Sequence, residues 1–147
     1  MKTNSAQPII EHNTQLPIIL KSQHKNIMLK FKNTLEYAET RQYTLLQKSL
    51  SEFSYLLTEH FRSERELYMY LELVVSGSDG SYRNTRNEMK DIAVAIFSII
   101  NLHTNTTVND HTIDQFKKDF ALLGKELLGR MRHEEKYLFD DYSRHGA

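Results

Sequence analysis

Apolar residues recur every three or four positions in four long segments of the chain, and short polar stretches separate these segments. This spacing is helical, because residues three and four apart lie on one face of an α-helix. We predict an all-α fold, a single up-down-up-down antiparallel four-helix bundle over residues 1–147. The predicted elements are an irregular N-terminal arm at 1–16 and helices at about 17–39, 42–75, 83–102 and 112–142.

Residue types at the ends of these segments support the same division. Pro17 suits the first turn of the first helix, where a missing backbone N–H costs nothing. The Ser-Gly-Ser-Asp-Gly-Ser run at 76–81 is typical of a break between helices and falls near the middle of the chain. Residues 103–111 are polar and rich in Thr and Asn, which predicts a loop, and Thr112 can cap the last helix.

Composition removes several classes of function. The chain has no cysteine, which excludes disulfides, zinc-thiolate sites and cysteine nucleophiles. Its 19 basic and 19 acidic residues balance, so no long-range field favours nucleic acid or an anionic membrane. Residues 1–17 have neither the pattern of a signal peptide nor that of a membrane anchor. We therefore expect a cytoplasmic protein that binds neither nucleic acid nor membrane.

Ionisable residues interrupt the apolar stripes of three predicted helices. His24 lies on the stripe of the first helix, and His60 and Glu64 fill two gaps in that of the second. Arg130 and Glu134 interrupt the stripe of the last helix, which has the most regular period. Positions at matching heights of an up-down bundle lie in one layer, so we predict that these five residues form a buried polar cluster.

Two of these segments resemble a known family. His60-Phe61-Arg62-Ser63-Glu64 and the segment 130–139, which contains Glu134, look like the two histidine-x3-glutamate segments of the hemerythrin-like, HHE cation-binding family. His24 matches the histidine of that family's first helix. The resemblance implies a hemerythrin-like bundle that binds iron and senses or carries oxygen or nitric oxide. The ligands it implies are His24, His60, Glu64 and Glu134.

Two positions depart from that pattern. Where the family would supply histidines on the third and fourth helices, this chain has Met89 and Arg130. Methionine is a poor ligand for hard, oxygen-reactive iron, and arginine always carries a charge that repels a cation. We therefore expect no diiron site and no metal cofactor. Instead, the guanidinium of Arg130 is predicted to bridge Glu64 and Glu134 in a metal-free ion-pair network.

A second resemblance accommodates these departures. Leu123-Gly124, Leu127, Arg130 and Glu134-Glu135-Lys136 are similar to the closing helix of the Rsd/AlgQ family of bacterial anti-sigma regulators. Tyr55-Leu56 and His60-Phe61 are similar to its second helix. The resemblance implies a transcription regulator that binds the primary sigma factor of RNA polymerase. Our leading hypothesis is this non-enzymatic regulator; the alternatives are the hemerythrin-like iron protein and a bundle that only forms a homodimer.

No catalytic site is visible, because the polar residues are predicted to be buried and no nucleophile has both a base and an orienting partner. The sequence also assigns no partner-binding residue. Aromatic residues exceed what four narrow stripes can bury, which indicates either an exposed docking surface or a wide core or homodimer contact. These aromatic residues are Tyr43, Tyr55, Tyr68, Tyr70, Phe97, Phe139 and Tyr142.

The other histidines are assigned no role in the cluster. His133 lies beside Glu134 but off the predicted core stripe. The remaining four fall in predicted loops or termini, where we expect them to be solvated: His12, His103, His111 and His145.

Overall fold

The computed structural model describes residues 11–75 and 81–145, and these residues form helices and short connections. The helices are α1 (Leu16–Glu39), α2 (Tyr43–Tyr70), α3 (Ser81–Asn105), α4 (Ile113–His133) and α5 (Phe139–Arg144). A π turn at Leu71–Val75 extends α2, and a second at Glu134–Leu138 joins α4 directly to α5. The chain therefore has four long helical segments, and no strand occurs within the described ranges.

Side-chain contacts show that neighbouring helices run antiparallel. Gln23 near the start of α1 contacts Ser63 near the end of α2, whereas Thr34 near the end of α1 contacts Ser49 near the start of α2. The same reversal relates the other neighbours, which confirms the predicted all-α four-helix bundle. The pairs that show it are Gln47–His103 and Phe61–Phe97 for α2 with α3, His103–Asp119 and Met89–Arg130 for α3 with α4, and Phe31–Phe120 and His24–Glu134 for α1 with the last segment.

The third helix is longer than predicted. Its apolar pattern stops at Leu102, but the helix continues to Asn105 and carries His103 with it. His103 is buried, and its Nε2 lies 2.8 Å from an Asp119 carboxylate oxygen, so the prediction that His103 is solvated is wrong. Polar residues therefore hid the end of the helix, because an ion pair with α4 satisfies the imidazole.

The described part of the N-terminal arm, residues 11–15, is not helical and packs onto α5. The His12 ring stacks on Tyr142 at 4.3 Å between centroids, and its Nε2 hydrogen-bonds the backbone carbonyl of Tyr142. His12 is thus partly buried, contrary to prediction, whereas His111 and His145 are exposed as expected. The predicted arm before residue 11 and the 76–80 break lie outside the described residues.

Most of the surplus aromatic residues are in the core. Tyr68, Tyr70, Phe139 and Tyr142 are buried. Tyr43 and Phe97 are half-buried, and only Tyr55 of this set is exposed. The wide-core explanation therefore accounts for them better than an aromatic docking surface does.

A polar layer divides the hydrophobic core into two clusters. The first cluster includes Leu50, Phe53 and Phe120, and the second includes Leu20, Leu67 and Tyr142. On each contributing helix the polar residues lie between members of the two clusters: His24 between Leu20 and Ile27, His60 and Glu64 between Leu57 and Leu67, and Glu134 between Met131 and Leu138. Among the described helices, none is both long and apolar enough to cross a bilayer.

Candidate metal centre

Four ionisable side chains from three helical segments converge in this polar layer. α1 supplies His24, α2 supplies His60 and Glu64 one turn apart, and the second π turn begins with Glu134. All four are at most 3% exposed. Each offers one ligand atom, and these four atoms lie within 4.8 Å of one another. The structure therefore brings together four of the five residues predicted to form the cluster.

Both imidazoles direct Nε2 toward the carboxylates. His24 Nε2 lies 3.0 Å from Glu134 Oε1, and His60 Nε2 lies 2.9 Å from Glu64 Oε2. The outward nitrogens face acceptors: His24 Nδ1 lies 2.7 Å from Glu135 Oε2, and His60 Nδ1 lies 2.9 Å from Gln23 Oε1. An acceptor at Nδ1 holds a proton there, which leaves the inward Nε2 lone pair available to bind a cation.

Side chains outside the predicted stripes hold the cluster in place. Gln23, which accepts from His60, donates to Ser63 over 3.2 Å. The Tyr68 hydroxyl donates to Glu134 Oε2 over 3.0 Å. Sequence reasoning missed the roles of Gln23, Tyr68 and Glu135, because apolar periodicity identifies the face that points inward but not the neighbours that flank it.

The two buried carboxyl groups have opposite pKa shifts. Burial raises the pKa of Glu64, and the nearby Glu134 charge raises it further. Burial alone would raise the pKa of Glu134 too, but hydrogen bonds from Glu64, His24 and His60 lower it below its ordinary value. The pair therefore keeps one proton on Glu64 and the negative charge on Glu134. Burial raises the pKa of Tyr68, so its hydroxyl remains a donor.

Arg130 does not form the predicted bridge. Its Nε donates to the Met89 sulfur, and its Nη1 lies 3.8 Å from Glu88 Oε2. Within the described residues it forms no ion pair with Glu64 or Glu134. Met131 takes the core position of this turn of α4, which leaves Arg130 half-buried on the side facing α3. The prediction of an ion-pair network through Arg130 is therefore corrected, although its charge still lowers the pKa of Glu64.

His133 also lies apart from the cluster. It is half-buried, and its ring packs 5.1 Å from that of Tyr137. This position agrees with its placement off the core stripe.

The cluster fits a metal ion. Glu64 Oε2 is buried and has no hydrogen-bond donor among the described residues. With His60 protonated at Nδ1, the Nε2 lone pair faces Glu64 Oε2 at 2.9 Å, and two such acceptors repel unless a proton or a cation lies between them. Two imidazole nitrogens and two carboxylate oxygens form a donor set suited to divalent first-row transition metals.

Comparison with known families agrees with this geometry. The family described as Hemerythrin HHE cation binding domain matches residues 18–143. This chain belongs to the hemerythrin HHE cation-binding family. The matched residues include all four members of the cluster. No match was found among curated proteins or among solved structures.

Membership in the hemerythrin HHE family changes two expectations. The prediction of no metal cofactor is wrong, because the family and the buried histidine and glutamate group both point to one. The resemblance to the hemerythrin-like family is confirmed over most of the chain. No comparison supports the resemblance to Rsd/AlgQ, and the binding of a sigma factor stays an untested prediction.

Proposed function

We propose that this hemerythrin HHE protein binds one divalent transition-metal ion, with iron the first candidate. The ligands are the inward nitrogens of His24 and His60 and the carboxylates of Glu64 and Glu134. The observation that carries the proposal is the convergence of these four buried groups, with the imidazole lone pairs directed inward. A buried pair of carboxyl groups without a partner cation is costly, and a bound divalent ion compensates both charges.

A single ion fits the surroundings better than a pair of ions. This cluster is the one group in the described residues where three or more potential ligands meet. At this height α3 presents Met89, and the guanidinium of Arg130 lies beyond it. A second cation there would be repelled by the arginine charge in a medium of low dielectric constant.

The proposed role is to sense or carry a small ligand, without a catalytic step. Four protein ligands leave positions open on a six-coordinate ion, and the metal would supply an open coordination position for oxygen or nitric oxide. The two apolar clusters on either side exclude water from the site. The second-shell groups Glu135 and Gln23 fix both imidazoles in the orientation that ligation needs.

Metal analysis of protein expressed with added iron and purified without chelator tests the proposal. We expect about one ion per chain, because ligand binding of this kind is coupled to a folded site. His60→Ala and Glu134→Gln should lose the metal, whereas His111→Ala, which alters an exposed histidine, should retain it. A metal-free wild type, or a His60→Ala variant with unchanged metal content, would reject the proposal.

A further inference from the structure

The buried guanidinium of Arg130 is poorly neutralised. Its Nη2 is buried and has no acceptor among the described residues. Its Nε is bound to a thioether sulfur, which is a weak acceptor. Its carboxylate neighbour, Glu88, lies 3.8 Å away with a side chain that is 69% exposed. One end of the guanidinium therefore has donor capacity that the protein does not use.

The charges around a loaded site leave a surplus. Glu64 and Glu134 together neutralise a divalent ion, whereas the charge of Arg130 has no matching buried anion. Charges removed from water need a partner, because an uncompensated buried ion is strongly destabilising. One monovalent anion next to Arg130 would restore neutrality.

A cavity leads to this region from the surface between α2 and α3. Its volume is about 430 Å³, and Glu64, Tyr68 and Met89 line it. Arg130 lies at the Met89 side, and its charge acts on both Glu64 and Tyr68. The cavity is large enough for an anion of a few atoms.

Cations surround this cavity in a chain whose total charge is zero. Arg65, Arg86 and Lys90 line it, and its only lining carboxylate is Glu64. Arg86 is paired with Glu72, whereas Arg65 and Lys90 form no ion pair within the described ranges. Such a concentration of positive charge in a concave surface attracts small anions.

The larger groove between α1 and α4 is a poorer route. It reaches His24, but Glu135 also lines it and occupies the outward nitrogen of that imidazole. The cavity between α2 and α3 instead reaches Glu64, whose Oε2 has no donor among the described residues.

We propose that a small planar monovalent oxyanion, of the carboxylate type, enters between α2 and α3 and binds Arg130 beside the metal. Two oxygens in one plane match the paired N–H groups at the end of a guanidinium. The inference rests on the proposed metal site, because the carboxylates of a metal-free site oppose an anion. Anion and metal therefore strengthen each other's binding, as reciprocal linkage requires.

Formate and cobalt(II) are suitable probes, since formate has the required shape and the visible spectrum of cobalt(II) reports changes around the ion. Metal-free protein is first titrated with cobalt(II), and the loaded protein is then titrated with formate at constant ionic strength. We expect a saturable spectral change with the loaded protein. Calorimetry should detect no comparable binding of formate to the metal-free protein.

Variants separate the fork from its charge. Arg130→Gln should weaken formate binding at least about tenfold, which is the usual effect of losing a charge-assisted hydrogen bond, while cobalt(II) still binds. Arg130→Lys keeps the charge, remains closer to the native packing, and should also bind formate more weakly because the planar fork is lost. The matched control is Arg132→Gln, which removes an exposed arginine from the same helix and should leave formate affinity unchanged.

The outcomes distinguish the two proposals. Failure of cobalt(II) to bind would remove the metal site and the anion site with it. Normal cobalt(II) binding without a formate response would overturn the anion site alone. Equal formate affinity in wild type, Arg130→Gln and Arg130→Lys would also overturn it, as would equal affinity in the loaded and metal-free proteins.

Discussion

At the scale of single residues, Glu134 connects the parts of the site. Its two carboxylate oxygens receive Nε2 of His24 and the hydroxyl of Tyr68, so it joins α1 and α2 to the last helical segment. Its neighbour Glu135 holds the other nitrogen of the same imidazole. Two consecutive glutamates therefore bind opposite edges of one histidine, one as a proposed ligand and the other as the group that orients it.

The role of Glu135 can be tested by Glu135→Gln. The change removes the negative charge that fixes the proton on His24 Nδ1, and such outer partners commonly contribute about 10–100-fold to metal affinity. We expect a loss of that order in a competition titration against a coloured chelator. Glu126→Gln removes an exposed carboxylate from α4 and is the control. Equal affinities for the two variants would show that Glu135 does not orient the ligand.

The raised pKa of Glu64 predicts how the metal-free protein responds to pH. Because the folded chain holds this proton more tightly than the unfolded chain, the contribution to stability is complete below the ordinary carboxyl pKa and is lost as pH rises through the raised value. The slope for one proton approaches about 1.4 kcal/mol per pH unit. Urea unfolding with chelator present should show this decline in wild type.

Glu64→Gln is the comparison for that experiment. Glutamine resembles the protonated acid and cannot lose the proton, so the variant should lack this part of the slope and be at least as stable as wild type above neutral pH. It should still bind metal more weakly, because a neutral amide replaces a carboxylate. Parallel pH profiles for the two proteins would mean that Glu64 is ionised in the folded, metal-free chain.

At the scale of secondary structure, the π turn at Glu134–Leu138 changes the register of the last helical segment. A π turn inserts one additional residue, and such turns are frequent at functional sites. Here it begins at the proposed ligand Glu134 and is followed by α5, whose buried residues are Phe139 and Tyr142. The last segment therefore supplies a carboxylate to the site and still packs apolar side chains beyond it.

The elements differ in how far the sequence could predict them. Apolar periodicity placed all four helical segments, because each buries one continuous face. It also identified His24, His60, Glu64 and Glu134, since a polar residue on an apolar stripe is conspicuous. It misassigned Arg130, because neighbouring positions 130 and 131 fit the stripe almost equally and only packing shows that Met131 is buried. The π turns leave no signal in a regular period of 3.6 residues.

The packing of α1 against α4 depends on a glycine. A methyl group at Gly124 would lie 2.2 Å from Cζ of Phe31, whose ring is stacked on Phe120. Gly124→Ala should therefore lower the free energy of unfolding by about 1–3 kcal/mol, despite a helix-propensity gain of about 1 kcal/mol. Chemical denaturation measures both effects.

Gly129 provides a matched control on the same helix. No atom lies within 4 Å of a methyl group built there, so Gly129→Ala should raise stability by up to about 1 kcal/mol. A stabilised Gly124→Ala variant would mean that Phe31 can move aside at little cost.

At the scale of the whole molecule, the proposed ion would connect three of the four helical segments through one point. A ligand that binds only the folded chain stabilises it by about 2.7 kcal/mol at a free concentration one hundred times its dissociation constant. Thermal unfolding of metal-loaded wild type should therefore shift to lower temperature when chelator is added. The His60→Ala variant should show no such shift, and an equal shift in both proteins would assign the effect to metal bound elsewhere.

The polar layer also bears on how the bundle opens. The end that holds Leu16, Leu20 and Tyr142 has its own apolar cluster, so it can loosen while the cluster around Phe53 and Phe120 stays packed. Amide protons near that end would then exchange with solvent sooner than those around Phe53. Occupancy of the centre would join the two compartments into one cooperative unit and slow this local breathing.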